Sequence, residues 1–325
     1  MVYSVEDKLV VAVASSALFD LTECDRVYRE QGVTEYRKFQ RANEKVVLEP
    51  GVAFYLIRRL LGLNGPGTDD RVVEVILLSR NDPDTGLRVF NSIEHHALDI
   101  TRAGFVGGRD PIRYLVAFNA SLFLSANPSD VKDAIMQGAP AGRVFPTKYV
   151  DDPLKPELRV AFDFDGVIGD DSSEAVFRAH GLAEFLRTER EQSSVAHPKG
   201  PLHKFFSEMS RLQKLELARK TQDSSYQPRI RIAIVTARSA SSAERVVTSL
   251  REWGIEVDEV FFLGGMEKSK VLEEFRPHIF FDDQLSHIEG AASIAPCAHV
   301  PFGIANQAIE LMQNAAEARE TGAKA

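Results

Sequence analysis

Val160-Ala161-Phe162-Asp163-Phe164-Asp165-Gly166-Val167 is an apolar run that stops at two carboxylates one residue apart. In an open parallel sheet, residues just past the carboxyl end of a buried strand face the binding crevice, so both acids are expected there. Three further runs end in the same manner. Ile232-Ala233-Ile234-Val235 stops at Thr236, Glu259–Leu263 leads through Gly264-Gly265 to Lys268, and Ile279-Phe280-Phe281 stops at Asp282-Asp283. Each end has an ordinary alternative, since acids occur in turns, threonines cap helices and lysines are commonly solvated. Four polar ends on four successive strands point instead to one site.

Outward from these runs, short apolar segments alternate with longer amphipathic ones, the pattern of βα units around parallel sheets with helices on both faces, a Rossmann-like α/β fold. Strands are expected at 9–13, 72–78, 103–106, 122–124, 159–162, 230–235, 259–263 and 278–281, with helices at 85–96 and 242–253 between them. Loop signals fall at 64–67 and at 146–156, where Pro146, Pro153 and Pro156 flank Asp151-Asp152. The second is the candidate linker between units at 1–150 and 151–325.

Sliding the chain on itself by 157 residues lays 75–127 over 232–284 without a gap, and nine of the 53 pairs are identical, among them Gly107-Gly108 on Gly264-Gly265. At an offset of 149, Ala12–Leu18 matches Ala161–Val167. The chain therefore reads as two related units. Carried onto the first, Asp163 faces Ala14, Asp165 faces Ser16, Lys268 faces Pro111 and Asp282 faces Ser125, while Ser79 keeps the hydroxyl of Thr236. Without carboxylates the first unit is expected to be a degenerate copy. Packing against the second unit is one role open to it. The other is an effector site, in which Ser79, Asn81, Gly107-Gly108, Arg109 and Arg113 gather hydroxyls, amides and guanidinium ions around an anion.

The ordered set Asp163-x-Asp165, Thr236, Lys268 and Asp282-Asp283 resembles the haloacid dehalogenase-like phosphatases. Within that superfamily, the stretches 163–174 (DFDGVIGDDSSE), 235–242 (VTARSASS), 276–284 (RPHIFFDDQ) and 299–303 (HVPFG) are similar to the cytosolic class I 5′-nucleotidases. So are 13–20 (VASSALFD), 90–95 (FNSIEH) and 107–112 (GGRDPI), which lie outside the phosphatase core. One position departs: after the nucleophile, where glycine is expected, stands Phe164.

The resemblance implies Mg²⁺-dependent hydrolysis of nucleoside 5′-monophosphates, AMP and deoxynucleotides among them. Asp163 is then the nucleophile that forms an aspartyl-phosphate, and Asp165 the general acid and base. Thr236 and Lys268 bind the phosphate, and Asp163, Asp165, Asp282 and Asp283 hold the metal, Asp165 through its main-chain carbonyl. These residue types suit the chemistry: a covalent step splits the transfer in two, Mg²⁺ takes hard oxygen ligands, and a hydroxyl and an ammonium neutralise the transferring group. Phe164 and Phe177 are candidate substrate contacts, and Arg238 and Ser239 are placed at a helix start for the phosphate. A small helical cap is expected over about 170–229, with Asp171 and Glu174 as a capping box opening its helix. Two rivals stay open: a sugar phosphate or other small phosphomonoester as substrate, and a non-enzymatic nucleotide-binding role.

Composition excludes several classes. Among 325 residues, 47 acids against 39 bases leave a net charge of −8, against nucleic-acid and anionic-membrane binding. Cys24 and Cys297 are far apart and read as buried thiols, and His95-His96 and the other histidines show no metal spacing. The apolar run 9–19 is too short to span a bilayer and lacks a basic leader, which points to the cytoplasm. Residues 305–318 read as an amphipathic helix. Assembly into a homo-oligomer is left open.

Overall fold

The structure is a computed structural model that describes residues 3–65, 71–152 and 155–307. The loop reading at 64–67 lies partly outside these residues, and so does the C-terminal helix reading from residue 308 onward. The first half of the chain supplies strands β1 (Leu9–Val13), β2 (Val73–Ser79), β3 (Arg102–Phe105), β4 (Leu122–Ser125) and β5 (Ala141–Phe145). The second supplies β6 (Leu158–Phe162), β7 (Ile230–Thr236), β8 (Glu259–Phe262), β9 (Ile279–Asp282) and β10 (Cys297–His299). All ten form one sheet in the order β3-β2-β1-β4-β5-β10-β9-β6-β7-β8. Each half is parallel throughout, and a single antiparallel contact, β5 with β10, joins them. Where the sequence reading expected parallel sheets from eight strands, the structure has one sheet of ten.

The duplication extends to the register. Leu9 pairs with Val73 and Leu158 with Ile230; Val11 pairs with Leu122 and Val160 with Ile279. Those pairs keep the two offsets, 149 and 157, that align the sequence with itself.

The central strands are apolar on both faces because both faces are covered. In β1, Leu9, Val11 and Val13 enter a core that runs through both halves, while Ala12 enters a smaller one on the other face. In β6, Leu158, Val160 and Phe162 join the same shared core and Ala161 a third. The helices of the first half are α1 (Ser15–Leu18), α2 (Thr22–Ala42), α3 (Phe54–Leu61), α4 (Leu87–His95), α5 (Arg113–Ala117) and α6 (Pro128–Met136). Those of the second are α7 (Ser172–Glu191), α8 (His203–Gln222), α9 (Ala243–Glu252), α10 (Ser269–Phe275) and α11 (Leu285–Ala291). A π turn (Phe164–Ile168) precedes α7 and a 3₁₀ turn (Ala240–Ser242) precedes α9.

Coverage is exchanged between halves, since α3 reaches β6 and α8 reaches β1. Phe205 and Phe206 of α8 are fully buried against Phe162, so that part of the expected cap segment lies on the sheet. The remaining part, α7, is interrupted at Gly181 (φ +79°), as α2 is at Gly32 (φ +80°), a backbone region that favours glycine. Asp171 precedes α7 but caps nothing with its side chain; the carboxylate accepts the Ile304 N–H at 2.7 Å, and Glu174 pairs with Arg178. The capping-box reading is corrected accordingly: Asp170 takes the Ser172 amide and hydroxyl instead.

Of the expected linker, residues 146–152 follow β5 as irregular chain, and Asp151 within them is nonetheless pinned. Asp151 accepts hydrogen bonds from Arg58 and Arg59 of α3, and His278 stands 3.3 Å away. Those cations hold its carboxyl below the usual range despite burial.

Candidate active site

The four polar strand ends meet at the carboxyl edge of the second half, beside the point where strand order reverses between β6 and β9. Asp163 leaves β6 with its N–H bonded to Phe281 O at 2.8 Å, and its own Oδ1 accepts the Phe164 N–H at 2.7 Å. Lys268, just before α10, places Nζ 2.8 Å from Asp163 Oδ2 and 2.6 Å from Asp282 Oδ2. The Gly264-Gly265 turn that delivers it is fixed by amide bonds to Arg238 O and Ala237 O. Thr236, last in β7, is buried, and its hydroxyl accepts the Arg238 N–H. Asp283 sits against Gly166, where a Cβ would lie 2.5 Å from Asp283 Oδ2; Gly166 also has φ +69°, so this position requires glycine on two counts.

Charge is concentrated here. Burial pushes the Asp163 carboxyl up to about 6, Lys268 opposing and Asp282 and Asp165 adding to the rise. Burial likewise raises Asp283 well above the carboxylate range, reinforced by Asp282 and Asp163. Asp282 goes the other way, because Lys268 and His287 outweigh its burial. Burial opposes the charge on Lys268, yet Asp163 and Asp282 hold its pKa above the ordinary lysine value.

The donor set fits a hard divalent cation. Asp283 Oδ1 is buried with no hydrogen-bond partner among the described residues, and the carboxylates of Asp163, Asp165, Asp282 and Asp283 are gathered around Lys268, Arg238 and His287. Ligand atoms of Asp163, Asp282 and His287 also lie within 4.8 Å of one another. His287, whose Nδ1 is 3.0 Å from Asp282 Oδ2, corrects the reading that the histidines show no metal spacing. The signal was its spacing: four residues after Asp283, one turn into the helix that follows the acid pair.

A model of the 5′-nucleotidase family matches residues 1–307. The chain belongs to that family. It is 36% identical over 304 residues to human cytosolic 5′-nucleotidase 1B, covering 91% of this chain and 49% of that protein. The chain thus spans about half the length of the curated relative it matches. No solved structure matches it. Among the described residues, no helix is long and apolar enough to cross a membrane.

Other expected contacts are placed differently. Phe164 is fully buried, stacked on Trp253 at 6.2 Å and edge-on to His197 at 5.1 Å, so its ring is core and not a substrate contact. Phe177 on α7 is 43% exposed and edge-on to Phe185, open to a ligand. Arg238 is buried and its guanidinium is taken: Nε and Nη2 each donate to Asp165 at 2.7 Å, and Nη1 donates to Glu189. Its role toward a phosphate is corrected to a role toward Asp165. Ser239 is half-buried, its hydroxyl 2.7 Å from that of Ser241.

In the first half, Ser79 Oγ lies 2.9 Å from Ser15 Oγ, and Asn81 Oδ1 accepts the Tyr36 hydroxyl. Arg109 and Arg113 are exposed. The Gly107 and Gly108 amides expected to bind an anion are spent on Asn81 O and Arg80 O, and Arg80 pairs with Asp130. The anion pocket expected there loses its amide donors to the turn itself.

Proposed function

We propose that the chain is a Mg²⁺-dependent phosphomonoesterase that hydrolyses nucleoside 5′-monophosphates through an aspartyl-phosphate on Asp163. The observation that carries this reading is the buried Asp163–Lys268–Asp282 cluster beside the unpartnered Asp283 oxygen. Family membership and the cytosolic 5′-nucleotidase relative support the substrate class. Asp163, Asp282, Asp283 and the Asp165 carbonyl would hold the metal, which supplies positive charge beside the phosphoryl oxygens and favours the ionised Asp163.

Asp163 Oδ attacks phosphorus as the ester P–O bond breaks, and Asp165 gives its proton to the departing 5′-oxygen. Water then attacks the same phosphorus and returns a proton to Asp165. The bond to Asp163 breaks and phosphate leaves. Lys268 and the Thr236 hydroxyl hold the phosphoryl oxygens through both steps. Exposed Phe177 offers a face to the base.

Phosphate release from a panel of monophosphates under saturating Mg²⁺ tests the reading. AMP or a deoxynucleotide is expected to be preferred; preference for a sugar phosphate sinks the nucleotidase assignment. Phosphate release that survives Asp163→Asn unchanged sinks the mechanism.

A further inference from the structure

Behind Asp165 lies a buried polar network that the four strand-end motifs do not include. Glu189, on the second stretch of α7, is 2% exposed and accepts hydrogen bonds from Arg238, from Arg245 Nη1 at 2.9 Å and from the Ser173 hydroxyl at 2.8 Å. His197 Nε2 stands 2.8 Å from Arg238 Nη2, and the rings of Phe164 and Phe185 each lie 5.3 Å from that guanidinium. Asp165 receives the other side of the Arg238 fork. It keeps 18% side-chain exposure, against 4% for Asp163 and none for Asp282. Each Asp165 oxygen takes one bond from the fork and keeps further hydrogen-bonding capacity, on a side chain that is still partly open to solvent.

The first half is an internal control for what this network does. Its scaffold bonds persist: Arg88 Nε donates to Val46 O as Arg245 Nε does to Val195 O. Ser92 Oγ accepts the Leu48 amide as Ser249 Oγ accepts that of His197. At the positions of Asp165, Arg238 and Glu189, however, stand Ser16, Asn81 and Gln40, all uncharged. Burying a carboxylate against two guanidinium groups costs desolvation that hydrophobic or neutral residues avoid. A half that folds without these charges shows that the fold does not require them.

We propose that Glu189, acting through Arg238, is a positioning residue that holds the Asp165 carboxylate in place for proton transfer and ties it to helix α7. The proposal rests on the reading of Asp165 as general acid. Glu189 fixes one end of the guanidinium, so the other end presents a fork of set direction to Asp165.

The test compares kcat/KM for AMP with that for adenosine 5′-phosphorothiolate, whose bridging sulfur leaves as a thiolate and needs little protonation. For Glu189→Gln, the loss is expected to be about ten- to hundredfold on AMP and under about threefold on the phosphorothiolate. Arg238→Asn should show the same preference, and the double variant should be no worse than Arg238→Asn alone, because Glu189 acts through that residue. The ratio between substrates does not depend on how much of the variant is folded. Equal losses on both substrates, or none on either, overturn the proposal. Asp165→Asn separates the two layers: if it too fails to discriminate the substrates, the general-acid reading falls; if it alone discriminates, only the positioning role falls.

Discussion

At the carboxyl end of β6 stand Asp163 and Asp165, and at the same place on β1 stand Ala14 and Ser16. Around this difference the two halves agree in detail. Register, the paired glycines with positive φ, and the left-handed Asn119 and Arg276 at equivalent positions all recur. Packing and hydrogen bonding have been retained where charge has not. Even an edge ion pair survives with its signs exchanged: Glu74 pairs with Arg102 in the first half, and Arg231 pairs with Glu259 in the second. The comparison teaches that this sheet needs the shape of its strand ends, whereas one half keeps that shape without the carboxylates.

The strongest way to break that comparison is to make the second half resemble the first. Asp163→Ala, which copies Ala14, is expected to lower kcat by about 10⁴-fold or more while leaving thermal unfolding little changed, read by phosphate release and calorimetry. Large destabilisation would mean that Asp163 serves the fold after all. Lys268→Met removes the one ammonium between Asp163 and Asp282, and kcat should fall by about 10²–10³-fold. An unchanged kcat in that variant would remove Lys268 from the phosphate site.

Acid should separate the halves as well. His197 and His203 are each pulled down to about 4, chiefly by burial, and stand where the first half has Leu48 and Phe54. A histidine whose folded pKa is depressed binds its proton more readily when unfolded, so stability is lost as pH falls from about 6.5 toward 4. For His197 the loss is on the order of 3 kcal/mol, and His197→Leu should flatten the denaturation-midpoint profile in that window. A profile as steep in the variant as in the native chain contradicts the assignment. The smallest effect is expected at the edge: Arg231→Glu with Glu259→Arg, which copies the exchanged pair, should stay within about 1 kcal/mol of the native chain by urea denaturation.

The long buried strands were legible because a parallel sheet covered on both faces demands continuous apolar runs, and β1, β6 and β7 supply them. Strands β5 and β10 were not. Ala141–Phe145 contains Gly142 and Arg143, and Cys297–His299 is three residues long, so neither carries an apolar period of its own. Each exists because its partners offer an unpaired edge, and their mutual antiparallel contact turns two expected sheets into one.

The site divides along the same line. Sequence alone determined which carboxylates, hydroxyl and ammonium follow the strands of one half, and that only the hydroxyl, as Ser79, recurs in the other, because strand ends are fixed by local runs of side chains. Only the tertiary structure decided that Phe164 is core, that Arg238 faces Asp165, and that Glu189 and His287 stand beside the strand ends. Glu189 and His287 lie on helices, Phe164 opens a π turn and Arg238 lies in the loop after β7; their directions depend on packing against the sheet, and no local pattern encodes which charge a buried guanidinium will meet.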